Sequence, residues 1–158
     1  MPNVNIITGA KHKGKTTYLL NKILELTNSG KSVAGIVSKG NFMDSKRHNF
    51  YALNIDNNEQ RLLLSVDKIL DSDKIGKFFI SKETFEWGAE ILRNAILSNT
   101  EVLVLDELGK FELEGNGWAN VFSEMLDSNK ELYLVFREEY VSDLIAKFSI
   151  TDYQVVKL

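Results

Sequence analysis

Gly9-Ala10-Lys11-His12-Lys13-Gly14-Lys15-Thr16 decides how this chain is read. Its spacing is G-x-x-x-x-G-K-[ST], a phosphate-binding loop wherever a strand enters it and a helix leaves it. Asn3 to Thr8 is a short β-branched run that predicts a buried strand, and Lys15 to Thr27 or Asn28 carries apolar residues at helical spacing. Gly9 and Gly14 have no Cβ, so the loop curls and lets its amides approach an anion closely. Those amides form a nest, and the next helix adds the positive end of its dipole. In such a loop Lys15 places a point charge on the β- and γ-phosphates, and Thr16 offers its hydroxyl to Mg²⁺. We count Gly9, Ala10, Lys11, His12, Lys13, Gly14, Lys15, Thr16 and Thr17 as the nucleotide-binding set. Lys11, His12 and Lys13 make the loop basic; we read them as solvated positions that lend main chain, with phosphate neutralisation as the alternative.

The 158-residue chain has the length of a single domain able to bury a core, and we take residues 1–158 as that domain. Hydrophobic residues at 44% and charged residues at 26% are ordinary for a globular protein. A net charge of −3 argues against a nucleic-acid binder held by phosphate contacts alone. With no Cys, disulfides and thiolate metal sites are excluded. No secretory signal and no membrane-length apolar run is visible, so a cytoplasmic protein is expected. The oligomeric state is left open, with a monomer favoured.

Beyond the first helix, Ser29-Gly30 is a stop signal and Lys31–Ser38 a second strand, completing a βαβ unit. Lys39–His48 is polar and mixed. Asn49–Ile55 alternates, Asp56–Glu59 reads as a turn, and Arg61–Val66 as a hairpin partner. Asp67–Lys74 is mostly polar, and Lys77–Ile80 is a short strand. Residues 39–80 are therefore expected to form an antiparallel β insertion on one edge of a parallel sheet. Ser81 or Lys82 opens a second long helix, with Phe85, Ala89, Leu92, Ala95 and Ile96 as its apolar stripe. Phe85 and Trp87 read as packing residues, with base stacking as the other possibility.

Glu101-Val102-Leu103-Val104-Leu105-Asp106-Glu107-Leu108-Gly109-Lys110 is the second informative stretch. An unbroken apolar run suits a parallel strand buried on both faces. Its carboxylates then sit at the carboxyl end, where ligands bind in open α/β sheets. This is a Walker B pattern: Asp106 would hold Mg²⁺, and Glu107 would polarise an attacking water. Further on, the sequence predicts a helix from Gly117 or Trp118 to Leu126 and a buried strand at Leu132–Phe136. Arg137 then lies on the rim shared with the loop and Asp106, where it would stabilise the γ-phosphate or pair with Glu138 or Glu139. Tyr140–Phe148 is a last helix and Tyr153–Val156 a last strand.

Asp106-Glu107-Leu108-Gly109-Lys110-Phe111-Glu112-Leu113 resembles the D-E-[IL]-G-K-x-E-L signature of a family of small P-loop nucleoside-triphosphatases, the cancer-related nucleoside-triphosphatase and its archaeal and thermophile relatives. The likeness extends over the phosphate loop, Ile75-Gly76-Lys77, Phe85, Ala89 and Arg137. It implies Mg²⁺-dependent hydrolysis of ATP, GTP and other nucleoside triphosphates on a three-layer, RecA-like, mostly parallel α/β sheet. It also implies that Lys110 lies close to the nucleotide. The chain departs from the family pattern at the basic loop, at Ile36–Gly40, and at Phe136, where a His is common.

Two other functions are compatible with the sequence. One is a small kinase in which an acceptor replaces water and residues 39–80 build its pocket. The other is a nucleotide-gated binding module that touches RNA through Lys46-Arg47-His48, flanked by Phe42, Phe50 and Tyr51.

Overall fold

The computed structural model describes residues 3–10, 13–43, 46–67, 73–75 and 78–158; of 41–43, 46–48, 73 and 75 it describes the backbone alone. Its strands are β1 (Val4–Thr8), β2 (Val33–Met43), β3 (Lys46–Asn54), β4 (Gln60–Ser65), β5 (Asp73–Ile75), β6 (Phe78–Ile80), β7 (Val102–Leu108), β8 (Glu131–Phe136) and β9 (Tyr153–Lys157). Its helices are α1 (Lys15–Asn28), α2 (Lys82–Leu97), α3 (Lys110–Leu113), α4 (Ala119–Leu126) and α5 (Val141–Lys147), the last preceded by a 3₁₀ turn at Glu138–Tyr140.

The strands form one sheet in the order β5-β6-β4-β3-β2-β7-β8-β1-β9. From β2 to β9 every pairing is parallel. From β2 outward to β5 every pairing is antiparallel. The parallel part with an antiparallel extension is the architecture expected from the sequence. Within residues 39–80 the extension holds more strand than the reading of Lys39–His48 gave, because β2 does not stop at Ser38. It continues to Met43, pairing with β7 through Val33–Ile36 and with β3 through Ile36–Met43. The polarity of Lys39–His48 conceals this hairpin, because a strand at the outer part of a sheet needs no apolar run. The short strand β5 lies within the stretch read as polar, and α3 was not expected. Ser149, rather than a longer helix, ends the α5 region in a left-handed turn (φ 53°).

Side-chain alternation builds the layers. Val4 and Ile6, Leu103 and Leu105, and Leu132, Leu134 and Phe136 face α2, α4 and α5. Ile7, Val104 and Val135 face the opposite way, with Leu19 of α1. Buried on both sides, these strands must be apolar at every position, which explains the runs seen in the sequence.

Helix α2 is fastened at its start to the extension. The Ser81 hydroxyl accepts from Thr84 N–H at 3.3 Å, and the Thr84 hydroxyl donates to the Leu62 carbonyl at 2.7 Å. One turn on, Gly88 lies flat against the Trp118 ring: a Cβ built there would come within 2.5 Å of its Cη2. Overpacking a close contact costs roughly 1–3 kcal/mol. Gly88→Ala is therefore expected to lower the unfolding free energy by an amount in that range, read as a lower urea midpoint at unchanged slope of the transition.

Candidate functional site

Residues 9–14 join β1 to α1, and Lys15 and Thr16 open the helix. Gly14 takes the left-handed conformation (φ 79°) that a residue with a Cβ adopts only at a cost, and it caps α1 without a side-chain bond. Gly9 (φ 154°) leaves no room for a Cβ, which would sit 2.8 Å from the Leu158 carbonyl oxygen. The first helical bond runs from Tyr18 N–H to the Gly14 carbonyl at 2.8 Å. The amides before it have no acceptor within the helix, and the dipole makes that end attractive to an anion. Lys11 and His12 lie outside the described residues; Ala10, Lys13 and Thr17 are exposed around the loop.

Asp106 and Glu107 close β7, and a bulge separates their environments. Asp106 pairs with Val135 but Leu108 with Phe136, so Glu107 is an extra residue in the ladder. In an unbroken strand Glu107 would point into the core face shared by Leu103 and Leu105. The bulge returns Leu108 to that face and leaves Glu107 at the rim. Asp106 faces α1: its Oδ2 accepts from the Thr16 hydroxyl at 2.9 Å and from Ser38 N–H at 3.3 Å. Burial, together with the Glu107 charge, holds the Asp106 carboxyl up at about 7, while the Thr16 and Ser38 bonds and Lys15 pull it down.

Strand β8 lies between the strands that carry the two motifs. The residue after it, Arg137, thus emerges between Lys15 and Asp106. Glu107 stands between two cations, with Lys15 Nζ at 3.6 Å from Oε2 and Arg137 Nε at 3.9 Å from Oε1. Arg137 is also 3.9 Å from Glu139, one of the two surface partners anticipated for it, while its contact with Glu107 was not anticipated. Lys110 is exposed and borders the same pocket as Glu107 and Arg137. Phe85 and Trp87 part company: Phe85 packs on Trp118 with centroids 4.6 Å apart, whereas Trp87 lies under the Arg61 guanidinium at 4.5 Å. The side chains of Phe42 and of Lys46-Arg47-His48 lie outside the described residues.

One residue escaped the reading of individual residues. Glu112 is 2% exposed, and its two oxygens accept from Gly109 N–H at 2.8 Å and Trp118 N–H at 3.0 Å. It thereby fixes Gly109, against whose Cα the Arg137 stem lies; a Cβ there would meet Arg137 Cδ at 2.7 Å. The available signal was the Gly109-x-x-Glu112 spacing, the reciprocal half of a capping box.

The oxygens of Thr16 and Asp106 form a hard donor pair suited to Mg²⁺, which keeps several waters and is held by one or two protein groups plus phosphate. Among the described residues no cluster of three acidic, His or Cys side chains offers an all-protein cage for a metal. No helix among them is long and apolar enough to cross a membrane.

A family model described as NTPase matches residues 5–158. The chain is 29% identical over 137 residues to nucleoside-triphosphatase THEP1 of Methanocaldococcus jannaschii, covering 86% of this chain and 79% of that protein. Its fold resembles the crystal structure of THEP1 from the hyperthermophile Aquifex aeolicus (TM-score 0.72, 22% identity, 98% of this chain and 90% of that one). It likewise resembles the solution structure of a human cancer-related nucleoside triphosphatase (TM-score 0.76, 21% identity, 98% and 88%).

Burial raises the Glu112 carboxyl to about 7, against the pull of its bonds from Trp118 and Gly109. A carboxyl raised on folding binds more protons in the native state than in the unfolded one between the two pKa values, so its contribution to stability falls as pH rises through that window. Tm should therefore drop more steeply between pH 5 and pH 7 in the wild type than in Glu112→Gln, as read by calorimetry at matched ionic strength.

Proposed function

We propose a reaction on one premise: the chain belongs to the NTPase family. The reaction is hydrolysis of a nucleoside triphosphate to the diphosphate and inorganic phosphate. The observation that carries it is the 2.9 Å bond between Thr16 and Asp106, which brings the first turn of the loop helix onto the carboxyl end of β7. Two motifs separated by ninety residues in sequence thus share one site.

In this reading the amides of residues 9–17 and the N-terminus of α1 bind the β- and γ-phosphates. Lys15 turns from Glu107 to the triphosphate, which offers it more negative charge. Thr16 and Asp106 hold Mg²⁺, which when bound supplies positive charge to the phosphate oxygens. Glu107, freed from Lys15, accepts a hydrogen bond from the attacking water and orients it in line with the γ-phosphorus. Arg137 offsets charge that develops on the transferring group. Lys110, on the same rim, adds a cation near the nucleotide. ATP, GTP and other nucleoside triphosphates serve alike, since every residue placed here addresses phosphate and none a base. A single domain spanning residues 1–158, working as a monomer in the cytoplasm where these nucleotides are made, is sufficient for this chemistry.

Phosphate release from ATP and GTP, measured with Mg²⁺ and with EDTA, tests the reading. Release should require Mg²⁺ and vanish in Lys15→Ala. Removing a positioned acid–base group costs roughly 10²–10⁴-fold, and Glu107→Gln should lose kcat on that scale. Arg137→Ala should lose kcat with little change in KM. Wild-type turnover by Glu107→Gln would take Glu107 out of the mechanism.

A further inference from the structure

Glu107 forms part of the wall of two adjoining cavities. The first, of about 440 Å³, is bordered by Thr16, Asp106 and Glu107 on the body of the protein and by Lys39, Gly40, Phe50 and Gln60 on the extension. The second, of about 110 Å³, shares Ser38, Phe50 and Glu107 with the first and runs beneath the extension. Its lining is aromatic. Phe50 and Phe78 meet edge to face with centroids 5.5 Å apart, and Phe85 and Trp118 meet at 4.6 Å. Leu63 and Leu64 complete the apolar wall, and Arg137 and Lys110 stand at its polar side.

Hydrolysis does not call for such a pocket. A single water occupies about 30 Å³, and it is best held by polar groups. Five rings, Phe111 among them, and two leucines instead offer an organic group a surface out of water. An apolar cavity of roughly 150 Å³ takes a benzene ring. The 110 Å³ pocket falls somewhat short of that by itself, so a ring seated in it would extend its substituent past the shared residues Ser38, Phe50 and Glu107 toward the first cavity. Aromatic walls favour a ring over a plain chain, because edge-to-face and offset contacts become available.

We propose that this pocket is an acceptor subsite for a small, uncharged, ring-bearing alcohol, and that the enzyme transfers the γ-phosphoryl group to its hydroxyl when such a molecule is bound. The proposal rests on the hydrolase reading above and replaces only the nucleophile. The alcohol oxygen forms a bond to the γ-phosphorus, and the bond from that phosphorus to the β–γ bridging oxygen breaks. The bridging oxygen keeps the electron pair and leaves with the nucleoside diphosphate. The hydroxyl proton passes to the Glu107 carboxylate and then to solvent. Water takes the acceptor's place when the subsite is empty.

Phosphorus NMR of the full chain with ATP, Mg²⁺ and benzyl alcohol, pyridylmethanol or cyclohexylmethanol tests this. At least one alcohol should appear as its phosphate ester, with inorganic phosphate falling by the same amount. Leu64→Phe, which narrows the pocket and touches no phosphate-binding group, should cut ester formation about tenfold or more, the scale on which an apolar pocket discriminates, while phosphate release without alcohol stays unchanged. Leu64→Met keeps the volume and should keep the ester, which guards against a folding defect in the first variant. Phosphate as the sole product with all three alcohols overturns the subsite and leaves the hydrolase standing, and so does ester formation undiminished in Leu64→Phe. No nucleoside diphosphate even without alcohol overturns the hydrolase reading itself.

Discussion

A carboxylate buried at the end of a strand must be bonded, because leaving it bare in a medium of low polarity costs more than a small domain has to spare. Asp106 meets that demand with Thr16 from α1 and the Ser38 amide from β2. The bonds draw the anion-binding end of one helix, the tip of one central strand and the root of the antiparallel extension onto one carboxyl group. The rest of the site is arranged around that junction. Burial and the Glu107 charge raise the carboxyl toward neutrality, and on the proposed reading a cation arriving with phosphate would relieve both.

Sheet order and a single extra residue do the remaining positioning. Because β8 separates β1 from β7, the side chain that follows β8 enters between the two motifs instead of beside them. Because Glu107 is bulged out of the ladder, one strand presents two acids to different neighbours: Asp106 to a hydroxyl and an amide, Glu107 to two cations. Glu112 supports this from below, holding Gly109 and Trp118 by their amides, so that Arg137 and the aromatic pocket share one buried anchor.

The parallel part of the fold was legible because its strands are apolar throughout and its glycines sit where a loop must curl. Gly9, Gly14, Lys15 and Thr16, the run from Val102 to Glu107, and Arg137 could be put at their strand ends and helix start from type and spacing. What escaped the sequence had physical reasons. The outer half of β2 begins Lys39-Gly40-Asn41, which gives no apolar signal, yet its backbone pairs with β3 as far as Met43. The bulge at Glu107 leaves no compositional mark, since it is a register difference against β8, a strand further along the chain. Glu112 reads as a surface acid in a polar stretch, and its burial follows from the fold of 109–118 around it. The separate fates of Phe85 and Trp87 turn on which face of α2 meets α4 and which meets Arg61.

The contact between Lys15 and Glu107 makes the loop's lysine and the strand's acid neutralise one another. The ammonium already has a counterion, and an incoming anion must out-compete that tethered rival. A tethered carboxylate behaves like one held at high local concentration, so weakly charged solutes such as inorganic phosphate are at a disadvantage against a polyanion that meets many amides at once. On the proposed hydrolytic reading, the same exchange would keep the acid occupied until cargo is aboard, and Lys15 would act as a latch on Glu107, released by the molecule on which Glu107 is to work.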